Sequence, residues 1–424
     1  SLYRGMHAFL SAPQERRDLL LLQRDPAVDS SLQLCGDYGK FNELALRVKQ
    51  AQDFFLIIGP PGTGKTSFGL MTTLHEALLT PDASILLLSY TNRAVDEICS
   101  KLVEEKLDFI RIGNELSCPE VYRPYLLSSA VSECSRLAQV KERIMSGRIF
   151  VGTTTALNTS MSLFRLKSFD LAIVDEASQI LEPHLMGLLS AVKDNAPAIR
   201  KFVFIGDHKQ LPAVVQQHSD ESRVHEAALN DILLTDCRLS LFERLLKRYR
   251  ERPEVVFMLK RQGRMHHDTA DFPNRAFYAG QLTEVPLEHQ QQPLPEAAPH
   301  ADFFKKILTT QRIAFIAAPQ PPKSPSDKVN QTEADLIAEA VVKIYELTGS
   351  NFDVAHTVGI IVPYRNQIAT IRNTLDRYGI PALHDITIDT VERYQGSQRD
   401  YILYGFTIQQ YYQLNFLTDT VFEE

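Results

Sequence analysis

The sequence predicts an α/β fold of parallel sheets covered by helices, and two observations carry that reading. Short apolar runs recur at 54–58, 85–88, 149–151, 171–174 and 202–205, each continuous and each stopped by Gly, Ser or Asp. Continuous rather than alternating hydrophobicity marks strands buried on both faces, as in a parallel sheet between helical layers. Each run then gives way to a segment of helical spacing, so strand and helix alternate along the chain. In such sheets ligands gather beyond the carboxyl ends of the strands, and most of the polar clusters below stand there.

Composition agrees with a folded, water-soluble protein. The chain has 424 residues, of which 44% are hydrophobic and 23% charged, and this length suits two to three domains of roughly 150 residues. Forty-five Lys and Arg against 52 Asp and Glu give a net charge of −7. No global positive field marks a sequence-specific DNA binder, so nucleic-acid contact is expected to be local. The longest apolar runs are far too short to span a membrane, and no membrane partner is expected. Five scattered cysteines, none in a C-x-x-C pair, disfavour a disulfide framework or a cysteine metal site and point to a reducing, intracellular compartment, cytoplasmic or nuclear. The start at Ser1-Leu2-Tyr3-Arg4, without methionine or a secretory core, is read as a piece of a longer multidomain protein.

The pattern divides the chain. A flank of 1–40 precedes a first domain at 41–254, which carries a helical insertion at about 114–147. It weakens after residue 251, where a Pro- and Gln-rich loop begins at 288. A second α/β domain is expected at 255–424, with strands at 313–317, 358–362, 386–389 and 401–404. The basic run 244–252 is expected to be the solvated face of a helix.

The most specific motif follows the first strand. Gly59-Pro60-Pro61-Gly62-Thr63-Gly64-Lys65-Thr66 has the phosphate-loop spacing G-x-x-x-x-G-K-[ST] and leads through Ser67 into a helical segment. Glycines let backbone N–H groups wrap a phosphate chain at a helix N-terminus, the lysine reaches the β- and γ-phosphates, and the Thr66 hydroxyl ligates magnesium. ATP with Mg2+ is therefore the expected ligand. Asp175-Glu176-Ala177-Ser178 ends the strand at 171–174. There Asp175 suits the magnesium shell, and Glu176 suits activation of a water for attack on the γ-phosphate. Gly206-Asp207-His208-Lys209-Gln210-Leu211-Pro212 ends the next strand, and the neutral amide of Gln210 suits a sensor of the γ-phosphate.

The D-E-A-S and G-D-H-K-Q-L-P pair resembles motifs II and III of superfamily 1 helicases. The branch it resembles includes the nonsense-mediated-decay RNA helicase, the immunoglobulin-mu-binding helicase and the replication nuclease-helicases. Gln262-Gly263-Arg264-Met265-His266 is similar to that family's Q-Y-R-M-H motif, and the segment from Asp389 and Thr390 to Gln395 and Gly396 is similar to its V-D-x-x-Q-G motif. The resemblance runs from about residue 41 to the end of the chain. It implies two RecA-like domains, with Gln395 and Gly396 at the nucleotide and Arg264 reaching from the second domain to the γ-phosphate as a cis-acting arginine finger.

Three departures accompany the resemblance. The family's aromatic residue beside the arginine is Gly263, and its upstream glutamine is matched only by the shorter amide of Asn42. Its final motif, with a second arginine, is expected to follow Glu424.

Small polar clusters after other strands supply the expected nucleic-acid side: Tyr90-Thr91-Asn92, Thr153-Thr154, and Pro363-Tyr364-Arg365 with Gln367, joined by Thr390. Hydroxyls, amides and free backbone N–H groups hold phosphates without reading bases, as a motor on any sequence requires. The expectation is an ATP-dependent helicase or translocase on single-stranded RNA or DNA, working as a monomeric motor, with 5′ to 3′ polarity implied by the resemblance. The alternative is an ATP-binding, helicase-like interaction module with little turnover.

Overall fold

The computed structural model describes residues 2–213, 215, 217, 219–296, 300–319, 326–394 and 397–414. In chain order its strands are β1 (Phe54–Ile58), β2 (Ile85–Ser89), β3 (Ile110–Ile112), β4 (Ile149–Thr153), β5 (Phe169–Val174), β6 (Val192–Lys193), β7 (Ala196–Pro197), β8 (Ile199–Gly206), β9 (Val256–Met258), β10 (Arg261–Gln262), β11 (Thr283–Glu284), β12 (Val358–Ile361), β13 (Thr387–Asp389) and β14 (Tyr401–Tyr404). The chain divides into two compact units. The first runs to Met265 and includes Phe277–Val285; the second holds His266–Ala276 and the described residues from 286 onward.

The first unit is built on a seven-stranded sheet in the order β3-β4-β2-β5-β8-β1-β9, with every pair parallel. Its strands β1 and β2 and the carboxyl-terminal halves of β5 and β8 are continuous apolar runs because both faces of the sheet are covered. Phe54, Leu56 and Ile58 join one core with Leu86, Leu88, Val174 and Phe204, while Phe55 and Ile57 join the opposite core with Leu87, Ile173, Val203 and Ile205. This alternation is the two-residue period of a strand. Helix Asn92–Glu104 covers one face through Ile98 and Leu102, and helix Leu241–Tyr249 covers the other through Leu241 and Leu245. Each such buried leucine contributes about 1.5–3 kcal/mol. Strand β8 lies between β1 and β5, so the phosphate loop after β1 and the acids after β5 rise from the same sheet edge with one strand between them.

The second unit carries a three-stranded parallel sheet, β13-β12-β14. Helix Gln331–Thr348 buries Ala334, Ile337, Ala338 and Val341 against Val358, Ile360 and Ile388.

Several expectations are corrected. No strand forms at 313–317: the segment is irregular and Phe315 is 80% exposed, so an apolar run without a sheet neighbour stays a loop. The first sheet continues past the expected junction at 254/255, because β9 pairs with β1. The 1–40 flank is part of the first unit's core, with Arg16, Leu19 and Leu20 buried. The 114–147 insertion needs no such correction: it is expected to be helical, and it consists of short helical turns and the helix Leu137–Ser146. The basic run is not uniformly solvated. Arg244 is 1% exposed; it donates from Nε to Glu182 at 2.8 Å and from Nη2 and Nη1 to the carbonyls of Leu20 and Ile232 at 2.8 and 3.0 Å.

Candidate nucleotide-binding site

The loop from Gly59 to Thr66 leaves the buried end of β1 and is anchored at once, since the Gly59 N–H donates to the Gly206 carbonyl at 2.9 Å. Gly62 and Gly64 sit at φ +75° and +77°, left-handed conformations that other residues adopt only under strain. The Thr63 hydroxyl donates to the Pro60 carbonyl at 2.7 Å and closes the turn. Lys65 opens a wide helical turn, Lys65–Leu70, that continues as the α-helix Met71–Leu78. Pro61 and Gly64 are half-buried, and Ser67 is exposed at the start of this helix.

Two pairs join the loop to the end of β5. The Lys65 ammonium lies 2.9 Å from Glu176 Oε1, and the Thr66 hydroxyl donates to Asp175 Oδ2 at 2.8 Å. Glu176 itself is left-handed, at φ +52°. Its N–H donates to Asp175 Oδ1 at 2.9 Å, and its carboxylate accepts from Gln179 Nε2 at 3.2 Å. Burial and then the charge of Glu176 push the Asp175 carboxyl well above its ordinary value, against Lys65 and the Thr66 bond. Burial would depress the Lys65 ammonium, yet Glu176 and Asp175 hold it above its usual range.

Gln210 does stand at the end of β8, but its amide is already oriented. Nε2 donates to Asp207 Oδ2 at 2.7 Å, the same oxygen that accepts from the Tyr278 hydroxyl at 2.7 Å. The Asp207 N–H donates to Ser178 Oγ at 3.1 Å, tying this corner to the acids. Burial raises the Asp207 carboxyl, while Tyr278, the Lys209 N–H and Gln210 oppose it. Sequence alone does not single out Asp207 and Tyr278: Asp207 lies inside the G-D-H-K-Q-L-P motif, and Tyr278 is 71 residues away with no local signal.

Arg264 departs from expectation. It belongs to the first unit, not the second, because the Gly263 N–H donates to the Gly62 carbonyl at 2.9 Å and lays this segment on the phosphate loop. Gln262 folds the turn: its Oε1 accepts from the N–H of Arg264 at 3.0 Å and of Met265 at 2.8 Å, and its Nε2 donates to the Met265 carbonyl at 2.8 Å. A Cβ on Gly62 would stand 2.5 Å from Arg264 Cβ, so glycine is required there by conformation and by space. Burial lowers the Arg264 guanidinium, with Glu97 and Glu176 pulling the other way. Asn42 is committed internally: Oδ1 accepts from the Tyr38 N–H at 2.6 Å and Nδ2 donates to Asp37 Oδ1 at 2.8 Å.

The nucleic-acid candidates separate by burial. Tyr90, Thr91 and Asn92 are exposed at the carboxyl end of β2, where the Thr91 hydroxyl caps the following helix through the Ala94 N–H at 3.2 Å. Thr153 caps the helix after β4 in the same way, through the Ala156 N–H at 3.1 Å. Thr154 is fully buried, which corrects its reading as a strand contact. In the second unit Arg365 is exposed and Pro363, Tyr364 and Thr390 are half-buried. Gln367 is corrected as well. It is fully buried and pairs reciprocally with the Asn330 backbone, accepting from its N–H at 2.8 Å and donating to its carbonyl at 2.9 Å. Gln395 and Gly396 lie outside the described residues.

Residues 42–216 and 237–420 each match a family model described as an AAA domain. The chain is 31% identical over 398 residues to the DNA replication ATP-dependent helicase/nuclease JHS1 of Arabidopsis thaliana, covering 91% of this chain and 27% of that protein. It is 29% identical over 384 residues to the DNA replication ATP-dependent helicase/nuclease DNA2 of Homo sapiens, covering 85% and 33%. The chain thus spans about a third or less of the relatives it matches. A solved Arterivirus nonstructural protein 10 (helicase) with DNA superimposes at a TM-score of 0.37 and 15% identity, over 81% of this chain and 62% of that one. No described helix is long and apolar enough to cross a membrane. The chain belongs to the superfamily 1 helicases, in the group that holds the DNA replication ATP-dependent helicase/nucleases.

Proposed function

We propose that the chain is an ATP-hydrolysing motor that moves along single-stranded nucleic acid, DNA in the first instance, with 5′ to 3′ polarity. The observation that carries the reading is the double link between phosphate loop and acids: Lys65 to Glu176, and Thr66 to Asp175. The similarity to DNA replication ATP-dependent helicase/nucleases supports DNA as the strand.

In this reading the backbone N–H groups from Gly62 to Thr66, with Gly59, Pro60, Pro61 and Ser67 framing them, wrap the phosphates. Lys65 exchanges its contact with Glu176 for phosphate oxygens. Magnesium fits the donor set, because the Thr66 hydroxyl and the buried Asp175 carboxylate are hard oxygen ligands 2.8 Å apart. When bound, it would neutralise phosphate charge. The released Glu176 carboxylate takes a proton from water as the water oxygen bonds to the γ-phosphorus; the bond from that phosphorus to the bridging oxygen breaks, and ADP leaves with the electron pair. Asp207 and Tyr278 orient Gln210 as the γ-phosphate sensor. Arg264, beside Gly62, supplies positive charge from within the first unit. Tyr90, Thr91, Asn92 and Thr153 hold the strand at the ends of β2 and β4, and Pro363, Tyr364, Arg365 and Thr390 hold it on the second unit. Replacing Glu176 by Gln tests the reading: ATP binding is retained and hydrolysis stops. Loss of binding in that variant removes Glu176 from its role.

A further inference from the structure

An aromatic pair stands beside the phosphate loop, and the site described above leaves it unassigned. Phe68, one turn into the helix after the loop, is 43% exposed, and its ring lies so close over Gly64 that a Cβ there would be 2.3 Å from it. It stacks on Phe41 with centroids 4.8 Å apart and planes 19° from parallel. The Lys40 ammonium stands 5.1 Å and 5.4 Å from the two centroids.

The segment that carries Phe41 is pinned in place. The buried Glu76 carboxylate, on the helix that follows the loop, accepts from the N–H of Cys35 at 2.9 Å, the N–H of Gly36 at 3.1 Å, the Tyr38 hydroxyl at 2.8 Å and Lys49 Nζ at 2.6 Å. The pair is therefore a rigid apolar surface at the edge of a phosphate cradle, with a cation beside it. Among the described residues, two positions that the resemblance would use to hold a base do not do so here: both ends of the Asn42 amide are engaged, and position 263 has no side chain.

We propose that Phe68, backed by Phe41 and flanked by Lys40, is the platform on which the base of the bound nucleotide stacks, and that the site takes purine nucleoside triphosphates without selecting adenine over guanine. Stacking uses the π-face, which every base has, so it gives affinity without identity. The inference rests on the nucleotide-binding part of the reading above.

The test is equilibrium binding to the full chain with magnesium, by displacement of a fluorescent ATP analogue, using ATP, GTP and inorganic tripolyphosphate. In the wild type ATP and GTP should bind within about threefold of each other. Phe68→Leu keeps apolar bulk over Gly64 but removes the π-face; it should weaken ATP and GTP alike by about tenfold and leave tripolyphosphate unchanged. Phe68→Trp should retain ATP affinity. Unchanged ATP binding in Phe68→Leu, equal loss of tripolyphosphate, or a strong preference for ATP over GTP in the wild type each overturns the proposal. Lys65→Ala separates the two layers: it should lose ATP and tripolyphosphate together, and a wild type that binds neither sinks the nucleotide reading itself.

Discussion

The Lys65 ammonium, within 2.9 Å of Glu176 Oε1, is held by the carboxylate that it must release when a phosphate chain enters. The two residues then serve different steps, so their substitutions should fail differently. Lys65→Ala is expected to lose nucleotide binding and turnover together. Glu176→Gln should keep binding and lose about 10² or more in hydrolysis rate, the scale of a positioned general base. Binding isotherms beside steady-state rates check both, and equal loss of binding in the two variants would contradict the division of roles.

Gly62 faces two constraints, a φ of +75° and the approach of Arg264 Cβ. Gly62→Ala is expected to cost about 1–3 kcal/mol in stability and to weaken nucleotide binding. Gly113 has ordinary φ and open space around it, so Gly113→Ala should change stability by about 0.5 kcal/mol or less. Thermal melts of the two variants, measured together, separate local strain from a general intolerance of alanine.

Arg244 is buried and pairs with the half-buried Glu182, and its guanidinium also serves two backbone carbonyls. Removing the arginine leaves these acceptors without their donor, at a cost of about 1–3 kcal/mol for each one kept from water. Arg244→Ala should therefore move the urea midpoint sharply without touching the nucleotide site. A midpoint within error of wild type would show that the pair is solvated after all.

The Lys201 ammonium is buried, and desolvation, with Arg200 nearby, lowers it to about 7. The unfolded chain then binds the extra proton between about pH 7 and the ordinary lysine value near 10.4. This group's contribution to stability should rise with pH through that window and be flat below it. Lys201→Met should stabilise the protein at neutral pH, with the gain shrinking as pH approaches 10. Melting temperatures of both proteins from pH 6 to 10 follow the difference directly, and a gain that grows with pH would have the wrong sign.

Much of the fold was legible because its strands are continuous apolar runs, and β1 and β14 begin and end where the pattern places them. Strands β3 and β9 were missed because three residues carry too little periodicity, and β3 holds the charged Arg111 at its centre. The phosphate loop and the acids were readable from local spacing. The position of Arg264 was not, since it depends on the long-range bond from Gly263 to Gly62. Burial of Thr154 and Gln367 was equally hidden, because a polar residue after a strand reads alike whether it faces water or a buried backbone.

The exposed cluster Tyr90-Thr91-Asn92 is expected to hold a strand by its backbone. Affinity for mixed-sequence single strands should vary little with sequence and fall with added salt. Replacing Thr91 and Asn92 together by Ala should weaken it, whereas Gln367→Ala should act through stability. A strong preference for one sequence would contradict a translocase.

The most direct test of the central claim is ATP hydrolysis by the purified chain with and without single-stranded DNA. The account expects turnover that rises when the strand is added and disappears in Glu176→Gln. ATP binding through Lys65 with no strand-dependent hydrolysis would contradict it, leaving a nucleotide-binding module rather than a motor.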